Sequence, residues 1–203
     1  MTADEILVAA GRAPNVRGIG LDTVGLDETA RPSFTVDEHM RVNGSDRLWA
    51  IGDIAGKGAF THMAVYEAGV AVDDILGVAS PRLAEDHAVS RVTFNDPEVG
   101  SVGLTEAQAR AAGINVRAGV ADSSTSSRGW IHSAGNEGLM KLVADADRDI
   151  LVGATTVGPH GGELLGLFNL AVHARVPIAQ LRSMIYAYPT FYRGAIDALA
   201  AIK

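Results

Sequence analysis

Beyond residue 90 the chain runs through five short apolar stretches and only then turns to helical periodicity, an order that leaves few architectures open. Residues 91–94, 99–103, 116–120, 139–144 and 150–157 read as strands. One helix is predicted among them at 105–110, where Thr105 is a candidate N-cap, Gln108 stands three residues on as in a capping box, and Gly113 ends the element. Helices at 162–174, 178–185 and 191–202 follow, with Pro177 at the first turn of the second. Strands in series and then helices in series predict an α+β unit: an antiparallel sheet with helices on one face.

Upstream the pattern is different. Ser80-Pro81-Arg82 and Glu85-Asp86-His87 form a plausible boundary. Before it, the apolar run Ile6-Leu7-Val8-Ala9-Ala10 ends at Gly11-Arg12-Ala13-Pro14-Asn15 and reads as a buried strand with a turn. Such a strand needs neighbours that little sequence precedes it to supply, so either the strand order is unusual or a domain has been cut; the cut is favoured. Residues 13–46 are loop-rich, with a short strand candidate at Phe34-Thr35-Val36. A second, Leu48-Trp49-Ala50-Ile51, closes at Gly52-Asp53, and a Gly-bearing loop leads to a helix at 61–76. In that helix Ala64, Ala68, Ala71, Val72 and Ile75 recur at three- and four-residue spacing.

Composition excludes several functions. A net charge of −7 repels a phosphate backbone, so nucleic acid is not an expected partner. No stretch approaches the roughly 18 apolar residues of a membrane span, and Met1-Thr2-Ala3-Asp4-Glu5 lacks the blocks of a signal peptide. No membrane association and a cytoplasmic setting are expected. With no cysteines, these residues hold no disulfide staple, thiolate metal site or thiol redox centre. The histidines His39, His62, His87, His132, His160 and His173 are scattered without ligand spacing on one helix, so no metal site is expected. Asp96-Pro97-Glu98 reads as a turn, and the serine run at 122–127 as a surface loop. Gly158-Pro159-His160-Gly161-Gly162-Glu163 lacks the Lys and Ser/Thr of a phosphate loop and reads as a helix amino terminus, with Glu163 suited to its dipole.

Six segments, in order along nearly the whole chain, carry a resemblance. They are Val8-Ala9-Ala10-Gly11-Arg12-Ala13-Pro14-Asn15, Leu48-Trp49-Ala50-Ile51-Gly52-Asp53, residues 94–106 from Phe94-Asn95-Asp96-Pro97 to Leu104-Thr105-Glu106, Gly138-Leu139-Met140-Lys141-Leu142-Val143, Gly153-Ala154-Thr155-Thr156-Val157-Gly158-Pro159 and Tyr188-Pro189-Thr190. Together they resemble the FAD-dependent pyridine nucleotide–disulfide oxidoreductases, the family of glutathione reductase, lipoamide dehydrogenase and mercuric reductase. The resemblance implies that 1–12 ends an NAD(P) domain, 13–82 is the carboxy-terminal part of a FAD-binding domain, a partial α/β segment, and 86–203 is a dimerisation domain. The family's Gly-rich flavin fingerprint, Cys-x4-Cys pair and NAD(P) turn would all precede Met1. The intact protein would then be a homodimer that moves electrons from NADH or NADPH through FAD to a small acceptor: a disulfide, a metal ion or a quinone-like molecule. This stretch by itself would be inactive. The alternatives are a non-catalytic homodimerisation scaffold and a stand-alone, thiol-independent flavin reductase.

The resemblance also assigns candidate site residues. Gly52 permits close backbone approach, and the Asp53 carboxylate can accept hydrogen bonds from ribityl hydroxyls. Phe60, Thr61 and His62 match the helix start that lies against the flavin pyrimidine edge, where the helix dipole favours the reduced anion. The plainer reading of Gly52-Asp53 is a turn with a helix cap. In the tail, Tyr188 stands where most relatives carry a catalytic His, and Arg193 where they carry its Glu. A phenol is a poor base at neutral pH and a guanidinium cannot orient an imidazolium, so a glutathione-reductase-like proton shuttle is not expected. Tyr in the tail and Phe60-Thr61-His62-x-Ala64-x-Tyr66 look closer to the mercuric reductase branch, whose distal cysteine pair is missing. Interface packing of Tyr186 and Tyr188, and a surface or ion-pair role for Arg193, are the alternatives.

Overall fold

The computed structural model describes residues 3–26 and 34–203, so residues 27–33 of the loop-rich stretch lie outside the description. The chain divides into two units, Met1–Glu85 and Asp86–Lys203.

In the first unit the apolar run at 6–10 is not a buried strand. Ile6, Leu7 and Val8 are 86%, 93% and 77% exposed and join no ladder among the described residues. An apolar run becomes a strand only where a neighbour offers hydrogen bonds and a face to cover, and the described residues supply none. The two short strand candidates reduce to isolated bridges, Val36 with Val42 and Arg41 with Trp49. Helix α1, Thr61–Ile75, forms as the spacing predicts. Its inward stripe, however, is Met63, Glu67, Val70 and Ala71, while Val72 and Ile75 are exposed. Val70 and Ala71 pack with Met40 and Ala55, and a separate small cluster joins Val16, Leu21, Phe34, Val42 and Ala50. Asp74 ties the helix to the bridge region: it accepts from Arg41 Nε at 2.6 Å and Trp49 Nε1 at 2.8 Å. The Arg41 guanidinium holds the Asp74 carboxyl below its usual range.

The second unit is built on strands β1 Ser90–Thr93, β2 Glu98–Gly103, β3 Val116–Asp122, β4 Leu139–Asp145 and β5 Ile150–Gly158. They form one sheet in the order β1-β2-β5-β4-β3, antiparallel throughout. Helix α2, Glu106–Ala111, opens with the capping box: Thr105 Oγ1 accepts from Gln108 N at 3.2 Å, and Gln108 Oε1 accepts from Thr105 N at 2.9 Å. Ala109 of α2 packs with Val116 and with Val143, one side of the β4 alternation. The other side, with Leu142 and Ala144, faces the main core. There α4 Gly161–His173, α5 Ile178–Ser183 and α6 Ala195–Ala200 bring Leu165, Phe168, Val172, Ile178, Leu181 and Leu199 onto Val102, Leu151 and Ala154. The α+β architecture with an antiparallel sheet is therefore as the sequence predicts, with strand ends shifted by one or two residues; α4, α5 and α6 share one face, while the short α2 covers part of the other.

Two elements differ from expectation. The predicted helix at 191–202 is a 3-10 turn, Phe191–Gly194, followed by α6. A short helix, α3 Ser127–His132, starts within the serine run, because the Ser126 side chain accepts from Gly129 N at 3.0 Å and caps it. Among the described residues no helix is long and apolar enough to cross a membrane.

Glycines set how closely the helices approach the sheet. A Cβ on Gly119 of β3 would collide with the Ala198 carbonyl oxygen and the Ile202 amide. A Cβ on Gly166 of α4 would meet nothing within 4 Å. Gly119→Ala should therefore destabilise the unit by about 1–3 kcal/mol, whereas Gly166→Ala should stabilise it by roughly 0.5–1 kcal/mol. Urea denaturation of both variants checks this, and equal effects would refute the close-approach argument.

Candidate functional site

At the amino-terminal end of α1 the chain assembles a small polar site from residues distant in sequence. Gly52 opens a 3-10 turn, Gly52–Ala55, at φ 73°, a conformation that favours glycine. A Cβ there would also lie 3.2 Å from Ala64 Cβ. The Gly52 N–H donates to Glu67 Oε2 at 2.6 Å, which fixes the turn against the helix. Glu67 is 1% exposed, and its Oε1 has no hydrogen-bond partner. Burial pushes the Glu67 carboxyl above its usual range, outweighing the opposite effect of the Gly52 bond. The sequence reading passed over Glu67. The signal was available, because it lies four residues from Met63 and three from Val70, inside the inward stripe.

Asp53 is half exposed and pairs with Arg12 Nη1 at 3.2 Å, and the same guanidinium donates to the Ala59 carbonyl at 3.0 Å. Arg12 thus bridges the Gly52–Asp53 turn and the residue just before Phe60. Phe60 is the N-cap of α1 without a side-chain cap bond, and the first turn holds no acidic residue. Its ring stacks on His62 at 5.1 Å. Gly52, Asp53, Phe60, Thr61 and His62 therefore gather at one end of one helix. The arrangement offers helix-end donors, an exposed carboxylate acceptor and a close-approach glycine.

The tail of the second unit forms another cluster. Tyr186 is buried and donates its hydroxyl to Leu181 O at 2.9 Å, and burial pushes its phenol up. Tyr188 is 69% exposed, with the Arg193 guanidinium 5.5 Å from its ring centroid. Arg128, on α3 just after the serine run expected to be a loop, has its guanidinium carbon 5.7 Å from the Phe191 ring centroid. The structure thus brings Tyr188 and Arg193 together as a cation–π pair. Both line a pocket of about 140 Å³ with Arg128. Of the histidines, His87 and His173 stack at 5.9 Å, and His87 Nε2 lies 3.2 Å from the His173 carbonyl. Among the described residues no group of three or more His, Cys, Asp or Glu could hold a metal ion.

The buried Glu67 makes a signed prediction. Its folded-state pKa is raised, so the stability it contributes is fully present below the ordinary carboxylate pKa of about 4.3 and is lost as pH rises through the folded value. Wild type should lose stability relative to Glu67→Gln over that rise, measured as denaturation midpoints across pH. Parallel profiles would contradict it.

Comparison with known proteins identifies the family and the fold. The family model for the pyridine nucleotide-disulphide oxidoreductase dimerisation domain matches residues 89–197, and a second pyridine nucleotide-disulphide oxidoreductase model matches residues 1–68. The chain is 36% identical to dihydrolipoyl dehydrogenase of Thermus scotoductus, covering 100% of this chain and 43% of that protein. It is 37% identical to dihydrolipoyl dehydrogenase of Mycobacterium leprae, covering 94% and 40%. The chain thus spans about two fifths of the length of the curated relatives it matches. Among solved structures, LpdA from Mycobacterium tuberculosis superposes with a TM-score of 0.81 at 23% identity, over 93% of this chain and 40% of that one. The HOCl-induced flavoprotein disulfide reductase RclA from Escherichia coli gives 0.80 at 24% identity, over 96% and 44%. At those identities the two structures speak for the fold. The dimerisation-domain match alone takes in more than half of the residues, and the chain belongs to the pyridine nucleotide-disulphide oxidoreductase family.

Proposed function

We propose that this chain is the carboxy-terminal part of a homodimeric FAD-dependent oxidoreductase that passes electrons from NADH or NADPH to a small acceptor. In this reading 1–12 closes an NAD(P) domain, 13–82 completes a FAD domain and 86–203 is the dimerisation domain. The observation that carries it is the uncapped start of α1 beside Gly52-Asp53, with Arg12 bridging the two. When bound, FAD supplies the two-electron chemistry. Asp53 would accept hydrogen bonds from the ligand's hydroxyls, and Gly52 would let the backbone come close. The helix start at Phe60, Thr61 and His62 would hold the ring system, where a helix amino terminus favours negative charge. Glu67 acts at one remove, holding the Gly52 amide and with it the turn.

At the other end of the chain, Tyr188 and Arg193 bind and orient rather than shuttle a thiol proton. This departs from the His and Glu of most relatives and leaves the acceptor open among disulfides, metal ions and quinone-like molecules. The homodimer is supported by the dimerisation-domain match and by exposed apolar side chains on that unit: Trp130 at 80%, Ile131 at 49% and Ile185 at 95%. Covering them with a second copy removes apolar surface from water.

The test is to purify the protein encoded by the full open reading frame and record flavin absorbance and NAD(P)H oxidation. Wild type should be yellow and oxidise NADH or NADPH. Asp53→Ala should weaken flavin retention by about tenfold or more, the worth of a charge-assisted hydrogen bond. Protein that stays colourless with added FAD would leave the scaffold reading in its place.

A further inference from the structure

The Tyr188–Arg193 pocket carries a charge arrangement that nothing in the fold requires. Arg128 and Arg193 are both half-buried. Each lies over an aromatic ring, and among the described residues neither has a hydrogen bond or a carboxylate partner for its guanidinium. Half-burying a cation without a counter-charge costs free energy unless something else supplies the acceptors. With each guanidinium carbon 5.5–5.7 Å from its ring centroid and no acceptor among the described residues, the N–H groups are left to bind carboxylate or phosphate oxygens, whose geometry a guanidinium matches.

Both cations line the same pocket of about 140 Å³. Thr125, Ser127 and Thr190 share its wall, and so does one carboxylate, Asp197, which pairs with neither arginine. Two guanidinium groups against one carboxylate leave the pocket positive, in a chain whose net charge is −7. A general basic surface therefore does not account for it. The walls come from three elements: the cap of α3, the Tyr188–Thr190 turn, and the 3-10 turn with α6.

We propose that this pocket is a binding site for a small oxyanion, a molecule presenting a carboxylate or phosphate group to Arg128 and Arg193. The site deepens the binding role proposed above for Tyr188 and Arg193 by naming the group bound and adding Arg128. Its geometry is present whether or not FAD is held, so a failure here is distinguishable from a failure of the flavin reading. Isothermal titration of the 203-residue chain with sodium phosphate, and separately with sodium succinate, tests it at ionic strength fixed with sodium chloride. The expected result is saturable one-to-one binding of at least one probe. The tighter probe identifies the group as phosphoryl or carboxyl. Arg128→Met and Arg193→Met keep an unbranched stem over each ring and should each weaken binding about tenfold or more. Asp197→Asn removes the opposing charge and should tighten it. No saturable binding of either probe, or affinity unchanged in both methionine variants, overturns the proposal. Should the methionine variants fail to fold, Asp197→Asn decides, and unchanged affinity there counts against the site.

Discussion

Gly100 on β2 and Gly119 on β3 are the points at which the sheet lets helix backbone touch it. A side chain at Gly100 would meet Thr156 Oγ1 at 2.7 Å and the Gly161 carbonyl at 2.9 Å. In the room left, Thr156 donates to Gly161 O at 2.8 Å and Glu98 accepts from Gly162 N at 3.0 Å, so the start of α4 is fixed to β2 and β5. The same device at Gly119 brings the backbone of α6 against β3. Interiors pack at crystal-like density, so an approach this close tolerates no extra methyl group. Everything the tail does depends on it, because α6 continues directly from the 3-10 turn that presents Arg193.

The first unit is organised around a polar constraint. Glu67 sits fully buried where a helix stripe would ordinarily take an apolar residue, and its one bond goes to the Gly52 amide. A buried carboxyl with an unmatched oxygen is an energetic burden. What it gives in return is a turn fixed at positive φ, next to a helix start that its own sequence leaves uncapped. Local rules broken at one place and supported from another are the pattern expected of a site rather than of a core.

Much of this was legible in the residues. The five strands and α4 follow from alternation and apolar spacing, and Thr105 with Gln108 announces its capping box outright. The run at 6–10 was misread because its apolar content says nothing about whether a partner strand is present. Helix α3 was missed because serines favour caps and loops alike, and only the Ser126–Gly129 bond distinguishes the two. Glu67 lay in plain view, but a charged residue within an apolar stripe is normally assigned to the solvent side. Arg128 could not be connected with Arg193 from sequence at all. Sixty-odd residues separate them, and only the packing of α3 near the tail brings both to one pocket.

The proposed reading requires Asp86–Lys203, a compact unit, to fold by itself and to pair with its own copy about a two-fold axis. Sedimentation equilibrium on a polypeptide of residues 86–203 addresses that claim without reference to flavin or substrate. The account predicts a cooperatively folded species of twice the chain mass. A folded monomer across the whole concentration range would contradict it.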